Sequence, residues 1–564
     1  MRFARISASV FVIGLLAAGP SGQATSTKSA VPTNPDTRTI VHVLNRLGFG
    51  PAPGDVDRVR AMGLDKYIEQ QLTPDRIADA ALTERLAAFE TLTKSTGELT
   101  ERYFGPALEA RREAQRKQAA QDPSKAGAPP PDDPAARRAM MTPEQQDAVR
   151  MEREVLTDLM QAKIVRAAYS ERQLQEVLVD FWFNHFNVFV GKGQVRTYLT
   201  QYERDAIRPH VLGKFRDLLQ ATAESPAMLF YLDNWQSTAP EGVTTTAQNE
   251  RERMPQLPRR RPMTPGLTRP GANPRPGQMT RLPRTAADLP QNSPRRPRGI
   301  NENYARELME LHTLGVDGGY TQKDVQEVAR AFTGWTIANP RAGGSFRFEP
   351  RMHDDGDKVV LGHKIKAGGG KRDGDDVLDL LAKHPATAHF VALKLTRRFV
   401  ADEPSKALVD RAAQTFRETD GDIRAVVRTI ITSPEFFAPG AYRAKVKTPF
   451  EFVVSAVRAT GTETRNAQPL VGAIRNLGMP LYGCQPPTGY SDKADAWVNS
   501  GALLNRMNFA VTLTRAKSAV TSEGLIASAL AGEVSESTAS TIAKATNPPQ
   551  ALALALGSPE FQRR

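Results

Sequence analysis

Between Asn301 and Val325 the chain reads NENYARELMELHTLGVDGGYTQKDV, with two asparagines, three glutamates, an arginine and a histidine in its first twelve residues. On a helix, Glu302, Arg306 and Glu310 fall at i, i+4, i+8, and Asn303, Glu307 and Glu310 at i, i+4, i+7. That makes one broad polar face, with Tyr304, Leu308 and Leu311 opposite it toward a core. Arg306 can pair with Glu302 or Glu310, and acids early in a helix suit its positive end, which leaves Asn303 and Glu307 without an assigned task. Two carboxylates so spaced can move protons or hold a hard cation if other segments supply partners. The helical Glu-x-x-His metal signature is not met, because Met309 stands three before His312.

Two further segments carry candidate chemistry. In DFWFNHFNVF, five aromatic residues surround Asn184, His185 and Asn187. An imidazole in such a setting can be a metal ligand or proton shuttle, or a buried group bonded to backbone. In MHDDGDK, Met352 to Lys358, His353 and Asp354 are ligand types on a loop beside an Asp-Gly turn. The candidate catalytic residues are therefore Asn303, Glu307, Glu310, His185, His353 and Asp354. A divalent metal ion as cofactor would draw on His185, Glu307, His353 and Asp354. Other motifs are excluded. KAGGGKRDG lacks a glycine five before Gly370 and has Arg372 in place of Ser/Thr, so it is no P-loop. No Gly-x-Ser-x-Gly, His-Glu-x-x-His or strand-led Gly-x-Gly-x-x-Gly occurs. The lone Cys484 has no nearby histidine or second cysteine, so no intramolecular disulfide forms and the thiol reads as a buried or loop group.

The elements that must position these residues read as helices. The pattern predicts a mainly α, multi-helical globular protein with one small β-hairpin and long disordered insertions. MEREVLTDLMQAKIVRAAY repeats apolar residues three and four apart, and KALVDRAAQTFRETDGDIRAVVRTIITSPEFF gives two helices around an Asp-Gly turn. Thr448-Pro449-Phe450-Glu451 is a capping box with proline first, and Ser433-Pro434-Glu435-Phe436 and Ser558-Pro559-Glu560-Phe561 offer related caps. Strand character is confined to Ser345 to Ile365, where short alternating runs flank the polar MHDDGDK turn. Division along the chain follows: 1–24 signal peptide, 25–38 flexible segment, 39–120 helical region, 121–143 linker and 144–236 helical region. A disordered Arg/Pro-rich insertion at 237–299 precedes 300–340 (helical), 341–372 (hairpin and Gly-rich loop), 373–460 (helical) and 461–564 (helical).

The first residues have Arg2 and Arg5, an apolar run from Ile6 to Ala18 and small residues placed for cleavage after Ala24, a secretory signal. The expected location is exported, periplasmic or extracellular. The apolar run is shorter than the roughly 20 residues a bilayer span needs, and no later segment reaches that length, so a soluble mature chain without a transmembrane segment is expected. The formal charge of +13 is not spread as a nucleic-acid surface. From Arg251 to Arg298 stand twelve arginines against Glu252 and Asp288, a net of +10, with eleven prolines and few large apolar residues. Such a run cannot bury enough surface to offset the entropy of ordering, and reads as a basic loop suited to an anionic envelope polymer.

Five blocks, VLNRLGFGPAPGDVDRVRAMGLDKYIEQQL (Val43 to Leu72), VDFWFNHFNV (Val179 to Val188), NENYARELMELHTLGVDGGYTQKDVQEVARAFTGW (Asn301 to Trp335), HPATAHFVALKLTRRFV (His384 to Val400) and GYSDKADAWVNSGALLNRMNFA (Gly489 to Ala510), occur in this order. Together they resemble the secreted bacterial family catalogued as domain of unknown function 1800. The resemblance implies a predominantly helical exported protein, often accompanied by a second secreted protein of phosphatase/sulfatase-like fold. It implies no reaction and no catalytic residues. The Arg251 to Arg298 insertion departs from the compact family pattern. Two functions remain open: a binding or scaffold protein working with a secreted partner or anionic envelope polymer, and an extracytoplasmic metal-assisted hydrolase with a Glu/His/Asp site.

Overall fold

A computed structural model describes residues 29–121, 141–253, 299–516 and 518–564. The segment 1–24 expected to be a signal peptide, nearly all of the 121–143 linker and residues 254–298 of the insertion lie outside the described residues. The described chain is mainly helical, and its helices pack around one continuous apolar core running from Ile40 to Phe561. The helix Pro449–Thr460 is the inner member, since every one of its residues is buried. Its sequence, PFEFVVSAVRAT, is apolar on all sides apart from the charged Glu451 and Arg458 and the hydroxyls of Ser455 and Thr460, as a helix enclosed by others must be. Both charges are paired: Glu451 with Arg398 and with Arg564, and Arg458 with Asp55 at 3.0 Å. The predicted capping box starts this helix. Thr448 Oγ1 accepts from the Glu451 amide at 3.2 Å and Glu451 Oε2 from the Thr448 amide at 2.9 Å.

Ser433 and Ser558 likewise accept from the amides of Phe436 and Phe561, each at 3.2 Å. No helix follows either serine, so these are single capped turns. The predicted Asp-Gly turn between Lys406–Glu418 and Ile423–Ile431 is present, with Asp420 and Gly421 both at positive φ. Among the described residues no helix is long and apolar enough to cross a membrane.

The β structure differs from the single hairpin expected. Two separate two-stranded antiparallel sheets are present: β1 (Trp335–Ile337) pairs with β2 (Phe346–Phe348), and β3 (Lys358–Val360) with β4 (His363–Ile365). Leu361 and Gly362 close β3 on β4 in the positive-φ conformation that matches strand twist. Phe346–Phe348 therefore pairs backward in the chain, and the polar run at 352–357 joins two sheets instead of tipping one hairpin.

Candidate functional site

The helix Gln173–His185 carries the DFWFNHFN motif into the core, and each polar group of that motif has a bonding task. Asp180 pairs with Lys163 at 2.8 Å. Asn184 grips the backbone of Tyr490 from both sides, donating to its carbonyl at 2.8 Å and accepting from its amide at 2.7 Å. Asn187 Nδ2 donates to the carbonyls of Cys484 and Pro486 at 3.0 and 2.8 Å, and the Tyr231 hydroxyl donates to the Gln485 carbonyl at 2.6 Å. Segment 484–490 is thus held by four side-chain contacts to the motif and one to Tyr231. Gly489 fits because it has φ +73° and because a Cβ there would meet the Asn184 carbonyl at 2.2 Å. Cys484 is buried inside this clamp, and burial pushes its thiol up to about 11.

Asn301 caps the next helix, accepting from the Asn303 amide at 2.9 Å. Arg306 pairs with Glu302 at 3.3 Å, as the spacing predicts, and does not reach Glu310, which accepts from the Tyr320 hydroxyl at 3.1 Å. Asn303 Nδ2 points to the Leu232 carbonyl at 3.4 Å. From Leu308 to Thr313 the helix widens into a π turn, which rotates Met309 and His312 into the core and leaves Leu311 half-buried. Glu307 is half-buried and makes no hydrogen bond or ion pair among the described residues. Burial, and then the charge of Glu310, raises its carboxyl above the ordinary range.

His185 meets this helix only through backbone. Its Nε2 donates to the His312 carbonyl at 3.0 Å, which leaves Nδ1 a buried acceptor without a partner, as is His312 Nε2. Burial, assisted by the Lys394 ammonium, depresses both imidazoles, His312 to about 3. Both rings are therefore neutral, and His185 sits among Phe181, Trp182, Phe186 and Phe390.

His353 and Asp354 lie elsewhere, and both are buried instead of exposed, together with Asp355 and Lys358. His353 Nδ1 donates to the Thr333 carbonyl at 2.7 Å and its Nε2 stands 3.2 Å from Asp373 Oδ2. The same carboxylate oxygen takes Lys358 Nζ at 2.5 Å, and that ammonium also reaches the carbonyls of Asp354 and Gly356. Asp354 holds Arg330 through both oxygens at 2.7 and 3.1 Å. Burial would raise the Asp354 carboxyl, but the Arg330 bonds and the Gly356 amide hold it below the ordinary range. Asp355 accepts from Thr246 and Asn249. His185 and the His353–Asp354 pair thus have separate partners, and neither shares one with Glu307. Among the described residues no group of three or more His, Cys, Asp or Glu is arranged to hold a metal ion.

A different surface leaves polar groups open. Trp235 stacks on Phe230 with ring centroids 5.4 Å apart and planes 7° from parallel. Two cavities of about 690 and 770 Å³ adjoin it, both bounded by Trp235 and Pro340. Gln194 and Arg341 line the one beside Phe230; Glu241, Gln248, Ile337 and Arg351 line the other. The position of Trp235 is set by β1: Thr336 Oγ1 donates to its carbonyl at 2.7 Å, and Asn234 Nδ2 donates to the carbonyls of Phe332 and Trp335. The following strand-like segment is tied down by the Ala239 amide on the Met352 carbonyl and the Thr238 amide on the Gly299 carbonyl. Sequence reasoning missed this groove, since its walls come from five distant stretches and LDNWQST carries no motif.

Residues 42–563 match the family described as Protein of unknown function (DUF1800). The chain belongs to this family. No curated protein and no solved structure matches it. Three of the blocks by which the DUF1800 chain is recognisable meet at one place: Asn184, His185 and Asn187 from the second, His312 from the third, and Tyr490 from the fifth. In this DUF1800 protein those side chains secure the core.

Proposed function

We propose that this DUF1800 protein is an exported, non-catalytic binding protein that holds an extended anionic polymer of the cell envelope. The observation that carries the reading is the pair of cavities bounded by Trp235 and Pro340, a concave surface of mixed polarity in which the charged Glu241, Arg341 and Arg351 have no ion pair among the described residues. The acid and histidine motifs that would serve a hydrolase are, apart from Glu307, engaged in ion pairs, caps or bonds to backbone. Charge supports the same reading. The sequence from Arg251 to Arg298 carries a net of +10, and the chain leaves for it from the helix Thr246–Arg253 and returns at Gly299, beside Thr238 of the groove wall. Such a charge raises the local concentration of a polyanion and speeds its capture.

The test is retention of the mature chain on immobilised acidic and neutral polysaccharide, with and without residues 251–298. Retention on the acidic polymer that weakens with salt and with the deletion is the expected result. Failure of both forms to be retained on either polymer would overturn the reading.

A further inference from the structure

Six cations gather in the core beside the helix Pro449–Thr460: Arg46, Arg398, Lys445, Lys447, Arg506 and Arg564, none more than 6% exposed. Two carboxylates answer three of them. Glu451 takes Arg398 and Arg564, and Asp402 takes Lys445. Arg46, Lys447 and Arg506 have no ion pair among the described residues. Arg46 Nη2 donates to the Ala441 carbonyl at 2.5 Å, and Arg506 donates to Gln562 Oε1 and to the Lys447 carbonyl, each at 2.7 Å. Lys447 Nζ donates to Ser455 Oγ at 2.7 Å and lies 3.8 Å from the centre of the Phe561 ring. A guanidinium keeps its proton inside a protein, so only the two lysines can relieve this excess of charge. Lys445 has a carboxylate partner and Lys447 has none, so Lys447 gives up its proton first.

The same two lysines flank a strand-like contact. Lys445 and Arg564 exchange backbone bonds at 2.8 and 3.2 Å, and the Lys447 amide donates to the Gln562 carbonyl at 2.9 Å. We propose that Lys447 is the sensor of a pH-dependent latch, which holds residues 562–564 against 445–447 while the lysine is neutral and loosens when protonation restores its charge. The device is independent of the polymer-binding reading. Burial pushes the Lys447 ammonium down to about 7; Glu451 pulls it back in part, and Arg564, Arg506 and Arg443 press it further down. Burial and Arg564 lower Lys445 only to about 8, since Asp402 and Asp492 oppose them. The Phe561 face attracts the charged form of Lys447, but less than burial and three guanidiniums disfavour it. In the open segment the lysine returns to its ordinary value of about 10.4. The docked value is the lower one, so between about 7 and 10 the docked state binds fewer protons than the open one, and docking strengthens as pH rises through that window. Below it Lys447 is charged in both states and the latch is at its weakest.

Amide hydrogen exchange of the full mature chain at about pH 6 and about pH 9, corrected for the intrinsic pH dependence of exchange, tests the latch. Protection of 445–447 and 562–564 is expected to rise at least about tenfold at the higher pH, while the helix Ile423–Ile431 keeps its protection. Lys447→Met cannot carry the charge and should lose most of that response, with 562–564 well protected at both pH values. Lys447→Arg cannot lose the charge and should leave 562–564 poorly protected at both, with circular dichroism confirming that the helices persist. Protection of 562–564 that ignores pH in the parent would overturn the latch, as would a response of the parent's size surviving in Lys447→Met. A parallel change at Ile423–Ile431 would also overturn it, because the proton would then act on unfolding of the whole chain instead of on this segment.

Discussion

At Asn184, His185 and Asn187, amide and imidazole groups deep in the core reach backbone carbonyls of the 484–490 segment and of the 302–313 helix. Around Trp235, Gln194, Arg341 and Arg351 border two cavities, and neither guanidinium has an ion pair among the described residues. Residue type therefore does not separate a structural polar group from a binding one; the closure of its bonding does. A buried donor or acceptor is costly unless partnered, so the clamp holds the fold, whereas the groove's groups keep their capacity for a ligand. The His353 loop belongs with the clamp, because Asp373, Lys358 and Arg330 use up its charges.

The largest effect that sharpens this contrast is expected at Lys358. Lys358→Met leaves Asp373 buried beside His353 without its ammonium, and removing one member of a buried pair costs about 3–5 kcal/mol. Urea unfolding measures it, and Lys358→Met combined with Asp373→Leu should recover a large part. A loss under about 1 kcal/mol would mean that the His353 loop is not a closed network and returns it to the candidate sites. Next comes Asn187→Ala, which orphans the Cys484 carbonyl, leaves the Pro486 carbonyl with only the Gly489 amide as backbone donor, and should cost about 1–3 kcal/mol. Because the Cys484 thiol is buried and pushed up to about 11, it should react slowly with iodoacetamide in the parent and markedly faster in the variant. Unchanged labelling would separate Asn187 from the holding of 484–490.

Much of the helical frame could be read before any coordinates. The Asn301 cap, the Arg306–Glu302 pair, the inward Tyr304 and Leu308, and the Thr448 box all follow from local spacing. What escaped depends on register or on distance. A wheel at 3.6 residues per turn places Leu311 inward, but the π turn from Leu308 adds a residue to the turn and sends Met309 and His312 in instead. MHDDGDK looks like an exposed turn because its neutralising partners, Arg330 and Asp373, stand about twenty residues to either side. The groove was invisible for the same reason, as nothing local in LDNWQST announces Gln194, Pro340 or Arg351.

Glu307 stands between the two regions, half-buried and without a hydrogen bond or ion pair among the described residues. Its carboxyl is raised in the folded chain by burial and by Glu310, so the folded state binds the proton more tightly than the unfolded one. Stability therefore falls as pH rises through the window that begins near the ordinary glutamate value, and above it the charge is a standing penalty. Glu307→Gln should stabilise the protein at neutral pH by less than ~1 kcal/mol, since solvent screens a half-exposed group, and should flatten stability between weakly acidic and neutral pH. Destabilisation at neutral pH would show that Glu307 has a cationic or donating partner after all.

The smallest effect on stability is expected where the largest effect on binding is proposed. Arg341 and Arg351 are exposed and have no ion pair among the described residues, so Arg341→Gln and Arg351→Gln should each shift unfolding by no more than ~0.5 kcal/mol. Removal of an unpaired cation from a basic chain also slightly relieves self-repulsion, so the sign of that shift can be favourable. Equilibrium unfolding in urea is the check. A loss above about 1 kcal/mol for either variant would place that guanidinium in a structural contact. The groove would then be closed in the same sense as the clamp, and the distinction between groups that hold the fold and groups left for a ligand would fail at the place where it matters most.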